Sequence, residues 1–113
     1  MIHAVIYQNE RKECVGFSLA GHAGYSEAGQ DIVCAAVSVL VINTINALER
    51  YTDDAFSLAS DEERGYISCR FEEIPSHDAE LLLKTMILGL SDMADDENYE
   101  EYIDLTFEEV QQP

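Results

Sequence analysis

Gly21-His22-Ala23-Gly24-Tyr25-Ser26-Glu27-Ala28-Gly29-Gln30-Asp31-Ile32-Val33-Cys34-Ala35-Ala36 is where this chain turns from strand to helix. Before it, Cys14 to Ala20 reads as a strand, with Val15, Phe17 and Leu19 alternating against Gly16, Ser18 and Ala20. After it, Asp31 to Arg50 reads as a long helix with Asp31 as its N-cap. A histidine thus stands at a strand end, a cysteine in the first turn of a helix, and a loop bearing Gly21, Gly24 and Gly29 joins them. A positive helix end and a nearby imidazole are the two usual means of making a thiolate at neutral pH. His22 and Cys34 are therefore the candidate catalytic dyad.

The neighbouring residues are open to more than one reading. Asp31 caps the helix, orients His22, or does both; its charge opposes a thiolate unless an imidazolium pairs with it. Ser38 lies four residues beyond Cys34 and shares its helix face, where its hydroxyl bonds near the sulfur or back to its own helix. The segment Gly21 to Gln30 is long for a strand-to-helix link, and glycine-hinged loops beside a catalytic group act as lids. His3, within a strand, and His77, at a helix start, have no nucleophile near them in sequence.

Outward from this stretch, Ile2 to Gln8 reads as a strand that pairs antiparallel with Cys14–Ala20 across the polar turn 9–12. Asp54 to Ser60 and Tyr66 to Phe71 form a second hairpin. Ser76 caps a helix whose stripe is Ala79, Leu82, Leu83, Met86, Ile87, Leu90, Met93 and Ala94. Tyr102 to Val110 closes the chain as a strand with Ile103, Leu105 and Phe107 facing inward. The order β-β-α-β-β-α-β predicts one α/β (α+β) domain over residues 1–113, a mixed five-stranded sheet packed with two helices. The first helix is apolar almost all round, so one face goes to the sheet and another to a second copy of the chain.

Composition narrows the function. The 113 residues carry 23 acidic and 6 basic side chains, a formal charge of −17. Such a surface repels phosphate backbones; it either attracts cationic proteins or peptides or serves solubility or adaptation to salt. The run from Ile32 to Ile45, broken by Ser38, Asn43 and Thr44, reads as a buried helix short of a membrane span. With no signal-type start and three widely spaced cysteines, Cys14, Cys34 and Cys69, the expected compartment is the reducing cytoplasm. Cys14 and Cys69 read as buried apolar groups. No spacing suits a metal or a phosphate-binding loop, so neither metal nor cofactor is expected.

The stretch Gly21-His22-Ala23-Gly24-Tyr25, then Gly29, then Asp31-Ile32-Val33-Cys34-Ala35-Ala36-Val37-Ser38, resembles the bacterial ribosomal-processing cysteine proteases of the Prp family. The resemblance implies a small homodimeric α/β endopeptidase that removes the N-terminal extension of the large-subunit ribosomal protein numbered twenty-seven. It implies His22 as the catalytic histidine, Cys34 as the nucleophile, and supporting positions at Asp31 and Ser38. It further implies that Gly21, Ala23, Gly24, Tyr25 and Gly29 belong to a segment that moves on substrate binding. Two other readings compete: a non-catalytic dimeric ribosome-assembly module, and a thiol redox or acyl-transfer protein.

Overall fold

The computed structural model describes residues 1–21 and 28–111, with the backbone alone for residues 28–31. Seven elements follow in the expected order: β1 (Ile2–Gln8), β2 (Cys14–Ala20), α1 (Ala28–Tyr51), β3 (Phe56–Asp61), β4 (Tyr66–Phe71), α2 (His77–Asp95) and β5 (Ile103–Glu109). The strands form one sheet in the order β3-β4-β2-β1-β5. β1 and β5 run parallel, while β1–β2, β2–β4 and β3–β4 are antiparallel, so the sheet is mixed as predicted.

The β1–β2 turn is built by Asn9, whose Oδ1 accepts the amides of Arg11 at 2.9 Å and Glu13 at 3.0 Å. The register then slips: Tyr7 faces Gly16 but Gln8 faces Cys14. This bulge corrects the expected alternation of β2. Cys14, not Val15, joins Phe17 and Leu19 in the main core cluster, although Val15 is itself buried.

That core lies between one sheet face and both helices. Ile6, Phe17 and Cys69 meet Val33, Val37 and Leu48 of α1 and Leu83, Met86 and Leu90 of α2, all buried. The predicted α2 stripe is the observed one, and Ser76 caps it by accepting the Ala79 amide. Phe107 departs from its expected inward place and is 51% exposed, because it lies far along an edge strand.

Two corrections concern α1. It begins at Ala28, three residues ahead of Asp31, so Asp31 is a helix residue and not the cap. The stretch 32–51 also has the length and composition to cross a membrane, with a mean hydropathy of 1.9. The fold nonetheless uses it as a core helix, burying Val33, Val37, Val41 and Leu48.

Candidate active site

β2 delivers the chain to the site. After the inward-facing Leu19, Gly21 takes φ +118°, and its α-carbon stands against the Met1 carbonyl and Ile2 Cα. A side chain there would collide with that backbone. The start of β1 is itself fixed, since the Ile2 amide donates to the Tyr102 carbonyl at 2.8 Å. His22, Ala23, Gly24 and Tyr25 lie outside the described residues.

α1 supplies the thiol. Cys34 is half-buried, packs against the core cluster, and shares its helix face with Ser38. Because α1 starts at Ala28, Gly29 belongs to the helix and not to the preceding loop, and Cys34 is the seventh helical residue. Its own amide is therefore inside the hydrogen-bond ladder, and the free amide donors belong to the turn before it. The field of a helix end fades within that first turn. Cys34 therefore sits one turn inside the helix, past the free amide donors of its start.

Cys34 and Ser38 open onto a cleft of about 460 Å³. Its floor is apolar, with Leu19, Val41 and Ile67 among the lining residues, and Ile42 and Tyr66 stand at its sides. Asp61 and Glu62 lie along one rim. Asp61 shapes that rim by accepting the amides of Glu63 at 3.1 Å and Arg64 at 3.3 Å. An apolar hollow with a thiol in its wall and carboxylates at its edge suits a peptide with apolar and basic side chains. The contributions of Asp61, Tyr66 and Ile67 were not legible in the sequence, since only the β3–β4 register brings that turn opposite α1.

The other thiols are unsuited to chemistry. Burial pushes the Cys14 thiol up, despite its bond to the Gly16 carbonyl and reinforced by the Glu80 charge. Burial, with Cys14 adding to it, pushes the Cys69 thiol up to about 12. His3 pairs with Asp104 at 2.8 Å on the opposite, exposed sheet face, and His77 is exposed at the start of α2. Neither lines the cleft.

The sequence matches the family described as "Cysteine protease Prp" over residues 1–104. It is 34% identical over 94 residues to the ribosomal processing cysteine protease Prp of Bacillus subtilis, covering 80% of this chain and 84% of that one. The fold is similar to the crystal structure of the essential ribosomal processing protease Prp from Staphylococcus aureus in complex with a substrate peptide. The TM-score is 0.88 at 28% identity, over 96% of this chain and 100% of that one. A second structure of the S. aureus protein, with a covalently linked product peptide, gives a TM-score of 0.84 at 30% identity, over 96% and 100%. A thiol in a peptide-sized cleft, on this fold and in this family pattern, makes the chain a member of the Prp family of cysteine proteases.

Proposed function

We propose that this enzyme removes the N-terminal extension of the large-subunit ribosomal protein numbered twenty-seven by a Cys34–His22 mechanism. The observation that carries this reading is the location of Cys34: of three thiols it alone is partly accessible, and it lines the cleft. The His22 imidazole takes the Sγ proton, and the thiolate attacks the scissile carbonyl carbon. Amide donors of the first turn of α1 hold the oxyanion. The imidazolium then protonates the departing amine as the C–N bond breaks, leaving a thioester on Cys34. Water, losing a proton to the imidazole, hydrolyses that thioester and returns the thiol. A covalently linked product peptide on the S. aureus protein supports such an intermediate.

The charge of −17 suits a basic ribosomal protein as substrate. The enzyme works in the cytoplasm, where its three free cysteines stay reduced. It works as a homodimer, with Ile32 (60% exposed) and Val39 (69% exposed) on the outer face of α1 supporting a second copy there. Incubation with a peptide spanning the extension tests the function. Wild type cleaves it, and Cys34→Ala and His22→Ala each abolish cleavage. A wild-type protein that leaves the peptide intact contradicts the proposal.

A further inference from the structure

A second hollow of about 470 Å³ lies further along the same two elements, lined by Glu49 of α1, Phe56 and Leu58 of β3, and Asp53 between them. Both walls are continuous. On α1, Cys34, Ser38, Ile42 and Glu49 fall on one helix face, the first three lining the first hollow and the last the second. On β3, Phe56, Leu58 and Ser60 alternate onto one strand face, with Ser60 in the first hollow and the other two in the second. Leu58, 45% exposed, gives the second hollow an apolar residue next to Ser60 on that strand face.

Among the described residues, β3 is also an open sheet edge. The opposite edge, β5, carries Asp104, Glu108 and Glu109, the charges that keep an edge from pairing. β3 carries no charge before Asp61, at its end beside the cleft. Its unpaired backbone groups can take an extended chain. At the far end, Asp54 is occupied, accepting the Ser76 amide and hydroxyl. Glu49 and Asp53 are exposed carboxylates beside Phe56 and Leu58.

We infer that the peptide site runs on from the Cys34 cleft along the α1–β3 valley. There it holds an extended substrate stretch remote from the scissile bond, with an apolar side chain over Leu58 and a lysine or arginine at Glu49 and Asp53. This inference rests on the protease reading above. From Cys34 to Glu49 the helix axis advances about 22 Å, which an extended peptide covers in about six or seven residues. The valley therefore reads several residues that the reacting atoms never touch.

The test compares a short peptide, bearing the scissile bond and three residues on each side, with two longer ones. These are extended by seven residues on the N-terminal or the C-terminal side, each extension holding a leucine and two lysines. One of the two extensions raises kcat/KM by about tenfold through KM, the size expected of a few apolar and rim-charge contacts. Leu58→Glu and the double variant Glu49→Lys/Asp53→Lys remove that gain and leave short-peptide turnover unchanged, with thermal melts confirming that each folds. N-methylation of alternate amides in the favoured extension removes it too. If neither extension helps while the short peptide is cut, the valley inference fails and the protease reading stands. If wild type cuts no peptide at all, both fail.

Discussion

Gly21 stands with its α-carbon against the Met1 carbonyl, at φ +118°, immediately before His22. The segment that the sequence presents as a lid is thus tied at its first residue to the start of β1. The backbone at the end of β2 is held by a contact that only glycine permits. The expected outcome of Gly21→Ala is a loss of about 1–3 kcal/mol of stability from the backbone conformation alone, with the collision adding to it. Urea unfolding measures the first effect. Peptide cleavage at a temperature where the variant is still folded measures the effect on activity, and kcat falls.

The three thiols differ in accessibility, and alkylation reads that difference directly. Iodoacetamide at pH 7.5 modifies Cys34 in the folded protein and leaves Cys14 and Cys69 untouched, because burial opposes their ionisation and excludes the reagent. All three react in denaturant. Peptide mapping by mass spectrometry checks the outcome.

The same burial makes stability fall in alkali. The Cys69 thiol has an ordinary value of 9.0 and is pushed up to about 12 in the fold. Its ionised form is therefore favoured in the unfolded chain, so the unfolded chain binds fewer protons above the ordinary value. The contribution is fully present below 9.0 and is lost as pH rises towards 12. Urea midpoints fall from pH 8 to pH 10.5, and Cys69→Ala shows a shallower fall over the same range.

Asp54 links the α1–β3 connection to the cap of α2. Burial pushes its carboxyl up, but hydrogen bonds from the Ser76 hydroxyl and amide, with Thr52 helping, outweigh this and hold it below the ordinary 3.8. Asp54→Ala costs about 1 kcal/mol, the usual worth of a capping interaction. Because the folded carboxyl is the stronger acid, the difference from wild type is present above pH 3.8 and fades as pH falls through the folded value. Urea melts of both proteins at pH 6 and pH 3 check it.

Charge governs encounter with a basic substrate. Raising salt from about 50 mM to about 500 mM lowers kcat/KM for a lysine-rich peptide by roughly three- to tenfold, through screening of the acidic surface. A peptide of the same length without lysines changes little.

Much of this molecule is legible in its residues. The β-branched Ile2, Val5 and Ile6 mark β1, period-two alternation marks β4 and β5, and the stripe from Ala79 to Ala94 with Ser76 before it marks α2, because these signals are local. What is missed depends on contacts between distant residues. Asp31 has the chemistry of a cap, but the helix extends back to Ala28 and absorbs it. Val15 has the right phase for the main core, but the bulge opposite Gln8 gives that place to Cys14. Cys34 and Ser38 share a helix face and line one cleft, as their i, i+4 spacing predicts. Tyr66 and Asp61 join them only through strand pairing that no short motif encodes.

The central claim is that Cys34 Sγ is the nucleophile of a peptidase. Rapid acid quench of the enzyme with the extension peptide, followed by mass spectrometry, tests it most directly. The account predicts a thioester between the N-terminal product and Cys34, absent in Cys34→Ser and accumulating before the second product is released. Cleavage with no adduct on Cys34, continuing undiminished in Cys34→Ala, would contradict it.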